Sequence, residues 1–364
     1  MRKLDGFIHA AAMVLLLAAA PAIAAERVIE LRVDAAQAVV VQNLAGAVRL
    51  VPGEGDIMIR ATVSAERQQV ADGVQLRRRD VRSQVEVAVE YPDDVSRVRY
   101  DGEEIRRIDS SVDYLGRRMR ITSSGGEPVR VDLEIVVPLN ARLGLKQVVG
   151  PVAADRVAAD LSLATRYGRI AVTDGSGRLR ADTGSGSVSV ASFRGPVVAD
   201  TGSGTVTIEN VLGNVSADTG SGGVRLRGIE GDVLVDTGSG GVRLDDVTGS
   251  LNIDTGSGSV RGENIVAGRE VLVDTGSGGV SLSGDLGAVR RLVADTGSGG
   301  VALRSTRPLS LRLDLSSGSG GIRVDVPSIS NVESSRNKFR GVIGDGEGTA
   351  KVSTGSGSIR ISAP

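Results

Sequence analysis

The chain has no cysteine, no tryptophan and a single histidine, His9, in 364 residues. Without cysteine there is no disulfide, no thiolate nucleophile, no zinc thiolate site and no lipid-modified anchor. With its one imidazole in the first ten residues, the rest of the chain cannot run Ser-His-Asp chemistry. Aromatic residues make up 2% of the sequence, so a conventional globular core lacks its bulky fillers and a saccharide groove lacks stacking platforms. Charge of one sign is lacking too: the formal net charge is −1, which gives no basic footprint for nucleic acid. Beyond the first 25 residues no apolar run reaches the length of a membrane span.

Those first residues read as an export signal. Arg2 and Lys3 precede an apolar run from Ala10 to Ala20, and Ala22-Ile23-Ala24 offers small residues for cleavage. Residues 1–25 are therefore assigned to a signal peptide, and the mature chain is expected in the periplasm or at the cell surface.

Glycine is abundant instead, at 50 residues, and it is placed periodically. The pentapeptide Asp-Thr-Gly-Ser-Gly starts at Asp182, Asp200, Asp218, Asp236, Asp254, Asp274 and Asp295. The spacing is 18 residues four times, then 20, then 21. Weaker copies place Lys146 and Ala164 upstream, and Ser316, Arg336 and Ser353 downstream, in the position of the Asp. About twelve levels follow from this count, the signature of a repeat body.

Each period resolves into columns. Three residues before the Asp stand Leu179, Val197, Val215, Val233, Leu251, Val271 and Leu292; one residue before it stand Ala or a β-branched residue. Six residues after it come Val188, Val206, Val224, Val242, Val260, Val280 and Val301, followed two later by Val, Ile or Leu, except at Gly262. Such alternation is a strand with one buried face. Continued through the pentapeptide, it sends Asp out, Thr in, Gly out and Ser in, with a parity change at the glycines that marks a corner. Two more parity changes per period give three sides and three turns. The expected fold is all-β: a single-stranded parallel β-solenoid, or β-helix, of about twelve rungs of 18–21 residues. At ~4.8 Å per level it would be ~58 Å long.

Residues 26–140 are less regular, with alternating runs such as "AVVVQNLAGAVRLV" (38–51) and "VRVDLEIVVP" (129–138). They are expected to form an N-terminal β cap on the repeat domain 141–364, with a charged insertion at 100–128 that also offers a binding loop.

The corner glycines are expected to be structural: Gly184, Gly186, Gly202, Gly204, Gly220, Gly222, Gly238, Gly240, Gly256, Gly258, Gly276, Gly278, Gly297 and Gly299. The outward Asp column is the part folding explains least. Seven carboxylates ~4.8 Å apart repel by roughly 0.9 kcal/mol per neighbouring pair in bulk water. Acceptance from N–H groups of their own turns would offset this, and so would a row of calcium ions on Asp182, Asp200, Asp218, Asp236, Asp254, Asp274 and Asp295. The Gly-x-Asp that follows the glycine pair in calcium β-rolls is missing here, so no cofactor is expected. A flat lattice of hydroxyls for ice would need Thr and Ser outside, against their parity. Arg225, Arg243 and Arg261 form an outward basic column that balances the acids, or, in a saccharide-active β-helix enzyme, would line a groove.

The stretches "VVVQNLAGAVRLVPGEGDIMIRATV", "VDLEIVVPLNARLGLKQVVGPVAA" and "NKFRGVIGDGEGTAKVSTGSGSIRI", together with the TGSG units, resemble a family of exported bacterial proteins grouped as adhesins, formerly a domain of unknown function. The resemblance covers nearly all of the mature chain. It implies a right-handed β-solenoid with no catalytic or binding residues to carry over; the uniform DTGSG departs from the T-x-N-G turns of many members. The expected function is thus a non-enzymatic, adhesin-like binding or scaffold protein of the cell envelope, with a protein or saccharide ligand. An open strand edge on the last level makes end-to-end self-association the structural alternative.

Overall fold

Short runs of alternating apolar residues fold as strands because the pleat sends neighbouring side chains to opposite faces. In the structure, a computed structural model that describes residues 25–102 and 107–364, these runs close into a parallel β-solenoid. Residues 1–24 of the expected export signal lie outside the described residues, as does part of the charged insertion.

One level shows the plan. Strand Val197–Thr201 forms the first side, and strand Val206–Leu212 bends to form the second and third. The next level repeats the path in register: Val197, Ala199 and Thr201 lie on Val215, Ala217 and Thr219, and Val206, Ile208 and Val211 on Val224, Leu226 and Ile229. The corner after Thr201 is Gly-Ser-Gly. The second corner is one left-handed residue, Asn210 with φ 54°, matched by Ser192, Asp246 and Asn264. Asn and Asp tolerate this region because their short polar side chains bond locally. Gly213, at φ 149°, opens the following level.

The apolar columns are buried throughout, Val188, Val190, Val206 and Ile208 at 0% exposure, and each such side chain contributes about 1.5–3 kcal/mol of transfer free energy. Gly262, the exception in its column, is filled from the next level: a Cβ there would come within 2.7 Å of Leu282 Cδ2. Likewise the ring of Phe193 covers Gly175, where a Cβ would stand 2.9 Å from it. Neighbouring levels thus trade volume so that the core stays filled.

The first level comes from the segment expected to be cap. Ala38–Ala45 and Val48–Gly53 run parallel to Arg142–Val149 and Val152–Asp155, directly beneath them. Beyond this level the sheet splits into two flanks. One continues through Gln84–Glu90 to Gln75–Val81, whose exposed Arg77, Arg78, Arg79 and Asp80 discourage further pairing. The other continues through Glu127–Pro138 to Ile57–Ala65 and Ala25–Val33. A short helix, Gln68–Gly73, joins the flanks. A second small sheet, Arg97–Arg99, Asp109–Tyr114 and Arg117–Thr122, arises from the region of the insertion.

The C-terminal levels are not stacked in chain order, which corrects the expectation from the repeats. Gly348–Thr354 pairs with Arg291–Thr296 on one side and Leu311–Ser317 on the other. Ile359–Ser362 lies between Val301–Ser305 and Ile322–Asp325 in the same way. The last level of the chain is therefore internal, and the level at 311–325 is outermost. The stretch around Arg336 is not a level either. Lys338–Ile343 runs antiparallel to Leu311–Ser316 and forms a hairpin with Ile329–Ser334. Its apolar alternation imitates a repeat, but a connection too short to circle the solenoid turns it back.

Candidate functional site

The repeated corner is held by threonine. Thr201 Oγ1 accepts from the N–H of Gly204, 3.1 Å away in its own turn, and donates to the carbonyl of Gly186 in the level before, at 2.7 Å. Thr219 does the same with Gly222 and Gly204 at 3.0 and 3.1 Å. The pattern continues through Thr237, Thr255, Thr275 and Thr296. Each hydroxyl uses its one proton and one acceptor position, so the column zips the levels together. Thr183 to Thr296 are buried, at 1% exposure or less.

The serine of the pentapeptide goes the other way. Ser185, Ser203, Ser221, Ser239 and Ser257 are all exposed, which corrects the inward position expected from strand parity. The turn begins directly after Thr, so the alternation stops two residues earlier than counted. The glycines answer to close approach. A Cβ on Gly186, Gly204, Gly222, Gly240, Gly258, Gly278 or Gly299 would overlap the carbonyl oxygen of the glycine one level below. At Gly184, Gly202, Gly220, Gly238, Gly256, Gly276 and Gly297 it would also sit inside 3.0 Å of a backbone oxygen. None of these fourteen has φ in the left-handed region, so they are needed for space and not for an unusual backbone conformation. The next position is freer: a Cβ on Gly223 would stand 3.3 Å from Gly241 O, and Ser187, Thr205 and Ser259 occupy it elsewhere.

The seven aspartates lie in register on successive levels. The corner N–H groups they were expected to accept from, such as that of Gly186, go to threonine instead. Asp182 lies 3.7 Å from Arg180. Partial burial raises the Asp200 carboxyl, and the charges of Asp182 and Asp218 raise it further. Asp274 is raised for the same reasons, with Asp254 and Asp295 as neighbours. Among the described residues no group of three or more acidic or histidine side chains is placed to hold a metal ion. Arg225, Arg243 and Arg261 also stack in register and are exposed.

A concave surface that sequence reasoning missed lies elsewhere, on the third side. A groove of about 810 Å³ runs along successive levels there. Its wall is the column of left-handed corner residues, Asp174, Ser192, Asn210, Asp246 and Asn264; Arg194, Leu212, Glu230, Thr248 and Val266 face into it from the short strand that follows. Leu212 and Val266 are 42% and 48% exposed. The signal was present: the position ten residues after each of the first five Asp holds Ser, Asn, Gly, Asp and Asn, types that suit a left-handed corner.

Near the N-terminal end the first corner column is covered. Tyr114 Oη donates to the carbonyls of Val89, at 2.7 Å, and Gln42, at 3.2 Å. The hydroxyls of Ser110 and Tyr167 share a hydrogen bond of 3.1 Å. Burial raises the Tyr114 phenol well above its ordinary value, and the neighbouring Tyr91 and Glu90 add to this. Asn43 and Gln147 stand in the threonine column, and the Gln147 amide donates to Gly46 O as a threonine would.

A family model described as Toastrack DUF4097 matches residues 167–362, more than half of the chain. The protein belongs to the Toastrack DUF4097 family. This bears out the resemblance to a family of unknown function, and the matched span of this Toastrack chain holds the threonine column from Thr183 and the whole groove. A solved structure described as a "putative cell adhesion protein" from Clostridium sporogenes is similar over 93% of this chain and all of that one, at 10% identity and a TM-score of 0.16. No curated protein matches the Toastrack chain.

Proposed function

We propose that this protein is an exported, non-enzymatic solenoid of the cell envelope that binds an extended polar ligand, a saccharide chain or a stretch of polypeptide, along its third side. The observation that carries this reading is the groove from Asp174 to Asn264, which crosses several levels without interruption. A groove of that form suits a polymer whose units repeat along the solenoid axis, where a small molecule would favour a closed pocket. Asp174, Asn210, Asp246 and Asn264 offer carboxylate and amide groups, and Arg194 and Glu230 offer both signs of charge. Leu212 and Val266 supply apolar contact between them.

The test is binding of purified envelope polysaccharides and of extended peptides to the wild-type protein and to two sets of variants. Replacing Arg194 and Glu230 with alanine should weaken binding at least about tenfold, or 1.4 kcal/mol. Replacing Arg225 and Arg243, on another side, should leave it unchanged. Loss of binding only in the second set would place the ligand on the basic column and overturn the reading. Cell fractionation with protease shaving tests export and separates periplasm from surface.

A further inference from the structure

The outermost level at the C-terminal end is finished on one side and open on another. Leu311–Ser317 is covered by the hairpin that follows, whereas among the described residues Ile322–Asp325 pairs only with Ile359–Ser362. In this parallel pairing Ile359 N–H bonds to Gly321 O, and Ala363 N–H to Asp325 O. That register directs the N–H and C=O groups of Arg323 and Asp325 toward 359–362 and turns those of Ile322 and Val324 to the free edge. The core is open there as well. Ile322 and Val324 belong to columns whose members Ile359 and Ile361, one level in, are 1% and 2% exposed, yet both are only half-buried, as is Val326.

The free edge has the sequence Ile322-Arg323-Val324-Asp325-Val326, and it is complementary to itself. We propose that two copies of this chain join end to end through this edge, as an antiparallel pair about a two-fold axis at Val324. Val324 then faces Val324 of the second copy and exchanges both backbone hydrogen bonds with it. Ile322 faces Val326 in both directions, which continues the apolar core from one rod into the other. On the outer surface Arg323 of each copy faces Asp325 of the other. In the single chain these two side chains bond to each other at 2.7 Å; across the axis each exchanges that partner for its equivalent. Pairings shifted by two residues lose this match: centred on Arg323 or Asp325, they set like charges against each other. At the N-terminal end the outer strands are Gln75–Val81, which carries Arg77, Arg78 and Arg79 in sequence, and Ala25–Val33, whose Arg27 donates to the carbonyls of Ala71, Asp72 and Val74 at the joining helix, so neither matches this edge. Assembly therefore stops at two, with the N-terminal ends outward and the two grooves on one longer rod.

Sedimentation and light scattering over a concentration series test this with charge swaps. The wild-type chain should form a dimer. Arg323→Glu alone and Asp325→Arg alone should each weaken it at least about tenfold, since like charges then face across the axis. The double variant should dimerise again, and an equimolar mixture of the two single variants should give the heterodimer. An unchanged circular dichroism spectrum of each single variant, and a melting point equal to that of the wild type at dilutions where both are monomeric, show that the fold is intact. A wild-type chain that stays monomeric at every concentration overturns the proposal. So does a dimer that the single variants leave intact, or one that neither the double variant nor the mixture restores.

Discussion

The first corner of the solenoid occurs in two versions. From Thr183 onward it reads Thr-Gly-Ser-Gly, with Ser317 for Thr at one level, and faces solvent; at 43–46 and 147–150 it reads Asn-Leu-Ala-Gly and Gln-Val-Val-Gly, with Leu44, Ala45 and Val149 fully buried. Thr-Arg-Tyr-Gly at 165–168 lies between them, its Tyr167 bonded to the small sheet at Ser110. The last glycine is common to all, because the backbone of one level passes too close to the next for a Cβ. The two middle residues follow the cover: apolar where another layer packs on the corner, Gly-Ser where water does. The buried first residue can supply a hydrogen bond between levels, through an amide at Gln147 and a hydroxyl at Thr201, whereas the buried Thr165 hydroxyl between them has no partner among the described residues. The uniformity of the pentapeptide is thus what an uncovered corner looks like when the same contact recurs at every level.

This comparison can be broken at each position in turn. Gly222→Ala should have the largest effect, about 3 kcal/mol lost in urea unfolding, since its Cβ would overlap Gly204 O. Gly223→Ser, one residue on, should change stability by less than about 0.5 kcal/mol. Thr219→Val leaves the Gly222 N–H and Gly204 carbonyl without their partner and should cost about 2 kcal/mol, while Thr219→Ser should retain most of the stability. On the covered version, Tyr167→Phe removes only the bond to Ser110 and should cost about 1 kcal/mol or less.

The smallest effect concerns the acid column beside the uncovered corners. The Asp200 carboxyl is raised in the folded protein by partial burial and by Asp182 and Asp218. A raised folded value means that the charged form opposes folding, so this cost is present at neutral pH, falls as pH drops through the folded value, and is gone below the unfolded value near 4. Asp200→Asn should therefore melt slightly higher than wild type at pH 7 and equally at pH 3. A lower melting point for the variant at pH 7 would mean that the carboxylate is stabilised by a partner such as a cation.

The period and the inward apolar columns were legible because every level repeats them, and a repeated register leaves little choice of which residues share a face. Serine was misplaced because strand parity was carried through Thr-Gly-Ser, and nothing in the letters shows where a strand stops. The level at 38–53 was hidden by distance, since about 90 residues separate it from the level it supports. The order at the C-terminus was illegible for a related reason. Gly348–Thr354 matches the pattern of any level, and its place between two earlier ones depends on the hairpin at 329–343, whose alternation resembles another repeat. The groove residues were visible as a column, but their meaning needed the left-handed backbone at Asn210 and its equivalents.

The most direct measurement is thiol labelling of two single-cysteine variants, Thr237→Cys and Ser239→Cys, in a chain with no cysteine of its own. The corner described here predicts that the cysteine at 239 reacts as fast in the folded protein as in the unfolded one, while that at 237 is protected until the solenoid opens. Equal reactivity at the two sites, or protection at 239 instead, would contradict a corner that turns directly after threonine with its hydroxyl column inside.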